Sequence, residues 1–133
     1  MLNTKLSPWP SFSNEEADAV KDVLLSNKVN YWTGQECRQF EQEFALYAQT
    51  QYAVALSNGT LALDVALKAM NIGAGDEVIV TSRTFLASAS CIVTAGANPV
   101  FADIDLNSQN ITAQSIAAVL TPKTKAIIVV HLA

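Results

Sequence analysis

The sequence predicts an α/β fold: a mostly parallel sheet with helices on both faces, a three-layer α/β/α arrangement. Two patterns and the composition carry that expectation. From Tyr52 onward, short apolar runs alternate four times with segments of helical periodicity, the order of strands joined by crossover helices. The runs lack in–out polar alternation, as expected when both faces of a sheet are covered. Half of the 133 residues are apolar and 15% are charged, a composition that supports a dense core.

Each element has its own signal. Ser13-Asn14-Glu15-Glu16 has the form of a capping box, and Ala17, Val20, Val23 and Leu24 follow at helical spacing, so a first helix runs to about Ser26. Residues 28–34 are irregular and carry Tyr31 and Trp32. Cys37, Phe40, Phe44 and Tyr47 or Ala48 mark one face of a second helix. Residues 52–56 are a short apolar run, the first expected strand, and a helix follows over 60–71. Gly73-Ala74-Gly75 closes that helix in a turn, and 77–81 is the second strand. Residues 85–95 form a helix of small residues ending at Gly96. Residues 100–104 are the third strand, 113–120 a further helix and 126–132 the fourth strand. IIVVHLA ends in an apolar strand with no covering helix, so the chain is expected to be cut short.

Several function classes are excluded at this stage. The net charge of −4 gives no basic footprint for nucleic acid or an anionic membrane. The first residues, MLNTKLSPWPSF, lack the apolar run of a secretory signal, and no apolar run reaches membrane-spanning length. Two cysteines 54 positions apart and the single His131 make no metal-ligand spacing. The cysteines read as two buried structural thiols, in a cytoplasmic protein. No Gly-Lys pair exists for a Walker loop, and the three-glycine dinucleotide fingerprint is absent.

The turn Ser57-Asn58-Gly59-Thr60 carries the chemistry. A strand that passes through small polar residues into a helix presents free backbone N–H groups, which suit a phosphate. The alternative is that Ser57 or Asn58 merely caps the helix. The loop Thr81–Ser88 follows the next strand and, in a parallel sheet, should lie at the same edge. Phe85 in that loop is either a core residue or a flat surface for an aromatic ring. Together the two loops suggest a flat, phosphorylated ring as ligand.

The segments NYWTG (30–34), FEQEFALY (40–47), SNGTLAL (57–63), GDEVIV (75–80), RTFLAS (83–88), GANPVFADID (96–105) and TPKTKAIIVVHLA (121–133) together resemble the DegT/DnrJ/StrS sugar aminotransferases, in order and spacing, from Ser13 onward. The resemblance implies a pyridoxal 5'-phosphate enzyme of the aspartate aminotransferase fold type. Such an enzyme aminates a nucleotide-linked keto sugar, often for lipopolysaccharide, O-antigen or antibiotic sugars, with an amino-acid donor such as glutamate. It implies a homodimer with active sites at the subunit interface. Asn58, Gly59 and Thr60, with the N–H of Leu61, correspond to the family's phosphate cradle. Phe85 corresponds to the aromatic that stacks on the pyridine ring. Tyr31, Trp32 and Thr33 match a loop near the sugar-nucleotide site. On this basis residues 1–34 are expected to form a helix and substrate-side loop, and residues 35–133 the first part of the cofactor-binding large domain.

The resemblance also implies that the catalytic residues lie elsewhere. The family's cofactor-bonding lysine and the aspartate that pairs with the pyridine nitrogen fall beyond the last residue. None of the six lysines, Lys5, Lys21, Lys28, Lys68, Lys123 and Lys125, matches the lysine position, and Asp103, Asp105 and His131 match family segments without a catalytic role. The expectation is the N-terminal third of an enzyme, inactive by itself. Two alternatives stay open: a dehydratase of the same family in which histidine replaces the lysine, and a non-catalytic module that binds phosphate or associates through a sheet edge.

Overall fold

Ser13 caps the first helix in the reciprocal way its sequence predicts. Its hydroxyl accepts from the Glu16 N–H at 3.2 Å, and Glu16 accepts from the Ser13 N–H at 2.6 Å. The computed structural model describes residues 8–131. Its elements are α1 (Asn14–Leu25), α2 (Glu36–Tyr47), α3 (Gly59–Ala69), β1 (Glu77–Thr81), α4 (Ala87–Thr94), β2 (Asn98–Ala102), α5 (Ala113–Val119) and β3 (Thr124–Ile128). The chain divides into two compact units, Met1–Ala55 and Leu56–Ala133.

The first unit holds α1 and α2. Helix α1 buries none of its residues and α2 buries only Ala45. Cys37, expected to be buried, is therefore exposed, because no described segment covers its face of α2, whereas Cys91 is buried as expected. Phe40, Phe44 and Tyr47 line up along α2 with ring centroids 5.7 and 6.2 Å apart, all three exposed. An aromatic row at helical spacing with nothing over it is an apolar face without a cover among the described residues.

The second unit is built on a parallel three-stranded sheet in the order β2-β1-β3. The central strand β1 is apolar and buried on both faces, as the absence of alternation in EVIVT predicts. Val78 and Val80 point into a core with Leu67 of α3, Cys91 and Ile92 of α4, Ile72 and Ala97. Ile79, equally buried, lies outside that cluster and on the opposite face. The two crossovers run in opposite directions along the sheet. Right-handed connections therefore put α4 and α5 on opposite faces, the α/β layering that the sequence predicts.

The helices and strands fall close to their predicted bounds, with one correction. The run 52–56 was expected as the first strand, but no residue of it pairs in a sheet. It is apolar, and a strand additionally needs a hydrogen-bonding neighbour, which no described segment supplies. The Ala55 N–H instead donates to the Glu41 carboxylate at 2.9 Å. Two strands lie nearer the N-terminus than expected. β2 starts at Asn98 and includes Pro99, which is tolerated because β2 is an edge strand. β3 starts at Thr124, where Glu77 of β1 pairs with it. β2 ends at Ala102 rather than at 104, and β3 ends at Ile128, so that Val129, Val130 and His131 of the expected 126–132 strand lie outside it. Leu132, where that strand was expected to end, lies outside the described residues.

Candidate functional site

Asn58 stands in extended conformation ahead of α3, and its Oδ1 accepts from the Leu61 N–H at 2.9 Å. The capping reading of this turn is thus realised, and the Leu61 N–H is taken up by the cap. The N–H groups of Gly59 and Thr60 meet no acceptor among the described residues, as expected for the first positions of a helix. Around Gly59 there is open space: a Cβ built there would touch nothing within 4 Å. The turn therefore offers two free donors and the positive end of a helix to solvent.

Packing brings this turn and Phe85 to one end of the second unit. Asp64 of α3 lies near Cys91 of α4: burial pushes the Cys91 thiol above its ordinary value, and the Asp64 charge adds to the effect. Beyond them the C-terminal ends meet: a Cβ built on Gly73, after α3, would stand 3.5 Å from the carbonyl oxygen of Ala95, which ends α4. Residue numbers rise together along the two helices, so α3 and α4 run parallel and start at the same end. Phe85 sits two residues ahead of α4, just past the C-terminal end of β1, and is 76% exposed. Among the described residues nothing packs over it, so it is not part of the α3–α4 core. The loop holding it is tied down by local bonds. The Arg83 N–H donates to Thr81 Oγ1 at 3.3 Å, Thr84 Oγ1 donates to Ser88 Oγ at 2.8 Å, and the Ser88 N–H donates to the Phe85 carbonyl at 3.0 Å. The Arg83 guanidinium donates to the side chain of Gln109, in the loop after β2.

Tyr31, Trp32 and Thr33 lie on the first unit. Asn30 organises them: its Oδ1 accepts from the N–H of Trp32 at 3.0 Å, the N–H of Thr33 at 3.1 Å and the hydroxyl of Thr33 at 3.2 Å. Gly34 closes the loop where a Cβ would stand 2.5 Å from the Lys28 carbonyl oxygen, so only glycine fits. Sequence reasoning missed Asn30 and Glu41. The Asn-x-x-Thr spacing was a visible turn signal for the first, and nothing local signalled the second.

The lysines of the second unit lie away from the Phe85 end. Lys68 is in the last turn of α3. Lys123 and Lys125 stand at the N-terminal end of β3, the opposite edge of a parallel sheet from the one that carries Phe85. Among the described residues, no group of His, Cys, Asp or Glu could hold a metal, and no helix is long and apolar enough to cross a membrane.

A family model described as the DegT/DnrJ/EryC1/StrS aminotransferase family matches residues 10–133. The spore coat polysaccharide biosynthesis protein SpsC of Bacillus subtilis (strain 168) is 44% identical over 122 residues, which are 92% of this chain and 31% of that protein. The X-ray structure of the aminotransferase from Psychrobacter cryohalolentis superposes with a TM-score of 0.92 at 70% identity, covering 95% of this chain and 32% of that one. The putative sugar aminotransferase Spr1654 from Streptococcus pneumoniae, in its PLP-form, superposes with a TM-score of 0.79 at 35% identity over 89% of this chain and 30% of its own. A PMP-form of that protein matches as well. The chain spans about a third of the length of these relatives.

Proposed function

This chain belongs to the DegT/DnrJ/EryC1/StrS aminotransferase family, and we propose that it carries the cofactor-phosphate part of a pyridoxal-phosphate-dependent aminotransferase acting on a nucleotide-linked keto sugar. The amino group comes from an amino acid such as glutamate, and the product is an amino sugar for a surface polysaccharide such as lipopolysaccharide. The names of the relatives support the substrate class, one being a polysaccharide biosynthesis protein and another a putative sugar aminotransferase with PLP- and PMP-forms.

The observation that carries the reading is the common end of α3 and α4. Two unpaired N–H groups, a glycine with open space above it and an exposed phenylalanine ring fit a phosphate joined to a flat ring. In this reading the N–H groups of Gly59 and Thr60 and the Thr60 hydroxyl hold the phosphate. Asn58 keeps the turn in shape by capping, and Phe85 covers one face of the ring and excludes water from it. When bound, the cofactor supplies an electron sink for moving an amino group. Tyr31, Trp32 and Thr33 are assigned to the nucleotide sugar. The uncovered aromatic row of α2 supports a homodimer, and the free thiols Cys37 and Cys91 fit a reducing cytoplasm.

The test uses the complete protein. With glutamate and a nucleotide 4-keto sugar it should release 2-oxoglutarate and form the amino sugar. Thr60→Val should weaken PLP binding by about 1 kcal/mol or more, since a charge-assisted hydrogen bond is lost. Failure to aminate any nucleotide keto sugar would overturn the substrate class. An unchanged PLP affinity in Thr60→Val would remove the phosphate site.

A further inference from the structure

Glu41 makes two contacts that the site as described leaves unused. It is half-buried on α2 and divides its carboxylate between two segments. Oε1 accepts from the backbone N–H of Ala55 at 2.9 Å, and Oε2 accepts from the hydroxyl of Tyr31 at 3.2 Å. One turn earlier on the same helix, Arg38 places its guanidinium 5.0 Å from the centre of the Tyr31 ring. Residues three apart share a helix face, so Tyr31 is held at its ring and at its hydroxyl by one face of α2. Trp32 packs edge-on against Tyr31, with centroids 6.3 Å apart and an interplanar angle of 89°.

The loop carrying these aromatics is rigid within itself, because Asn30 gathers three donors and Gly34 closes it. The chain itself enters α2 two residues after Gly34, and the side-chain attachment of the loop to α2 runs through Tyr31. The direction in which the exposed Trp32 ring faces therefore depends on that anchor. An ionised carboxylate suits the task because it offers two oxygens, each able to accept from a different donor. Among the described residues the run 52–55 has no sheet partner, and the Ala55 N–H donates to the same carboxylate.

We propose that Glu41 is a positioning residue for the nucleotide sugar: its two-armed carboxylate fastens the Tyr31–Trp32–Thr33 loop to α2 and to the 52–55 run, so that Trp32 is held ready to meet the nucleotide. This rests on the assignment of the loop to the substrate side.

In the complete enzyme, Glu41→Ala and Tyr31→Phe should each raise the KM for the nucleotide sugar about five- to tenfold, as a loop that is ready less of the time lowers apparent affinity. The kcat and the KM for the amino donor should stay within about twofold. The double variant should be no worse than Glu41→Ala alone. Glu41→Gln should recover most of the loss, because its amide oxygen still accepts from Ala55 and its amide nitrogen can donate to the Tyr31 oxygen. Amide exchange reads the grip without turnover: the Ala55 N–H should exchange faster in Glu41→Ala and stay slow in Tyr31→Phe. Slow Ala55 exchange in Glu41→Ala, or a uniform loss of kcat and of both affinities, would overturn the proposal. Trp32→Ala separates it from the reading beneath it. An unchanged nucleotide-sugar KM there removes the substrate-side loop itself. A raised KM in Trp32→Ala with none in Glu41→Ala removes only the role of Glu41.

Discussion

Asn58→Asp separates the two readings of the Ser57–Thr60 turn. Aspartate caps a helix as well as asparagine does, and its charge favours a helix N-terminus by about 0.3–1 kcal/mol. The bond from the Leu61 N–H therefore survives the change, and a turn that only caps should be as stable as before or slightly more so. A turn that binds phosphate responds in the opposite sense. Two unit charges about 6 Å apart repel by about 0.7 kcal/mol in water and about 2.8 kcal/mol at an effective dielectric of 20. Asn58 is exposed, which puts the figure in the lower half of that range. The phosphate carries more than one charge, so a loss of about 1.4 kcal/mol, or tenfold in PLP affinity, is expected. The assay is an absorbance titration of the complete apoprotein with PLP at two salt concentrations, the loss shrinking at the higher one. Amide exchange at Leu61 reports that the cap is intact. Unweakened PLP binding in Asn58→Asp, with Leu61 still protected, would refute the phosphate reading and leave the cap alone.

Three further outcomes follow from the structure. Ile92→Ala empties a fully buried position of the α3–α4 core and should destabilise the second unit by about 2–5 kcal/mol, measured by amide exchange of β1. The Ser13 N–H and hydroxyl hold the Glu16 carboxyl below its usual range. The contribution of this cap to α1 should be full above the ordinary glutamate value and fade as pH falls through the lowered one, whereas Glu16→Gln should show no such dependence; exchange of the Ser13 amide between pH 7 and pH 3 checks the sign. The 133-residue chain alone, with the aromatic row of α2 open, should self-associate in light scattering, and PLP followed by borohydride should label no single lysine in stoichiometric amount.

The elements legible in the sequence were those whose cause is local. The capping box at Ser13, the apolar EVIVT run and the small polar turn before α3 each state their structure within a few residues. The 52–56 run misled because being a strand is a relation between two segments, and its own residues describe only one of them. The nearness of Phe85 to the Asn58 turn was expected from a shared sheet edge. The structure instead brings them to one end through the parallel packing of α3 on α4. Glu41 was illegible for a related reason. An acid on the polar side of an amphipathic helix looks solvated until the chain returns with Tyr31 on one side and Ala55 on the other.

Pro99 gives the sheet a direction of growth. A proline has no N–H to offer, so a strand arriving on the outer side of β2 would find a gap in the ladder where a donor should be. The β3 side has no such gap. Its strand reads TKAII, every residue keeps its N–H, and Ile127 is partly open to solvent. Any strand that joins this sheet, from the same polypeptide or another, should therefore add beside β3. A charged substitution at Ile127 is the change that would discourage unwanted pairing there.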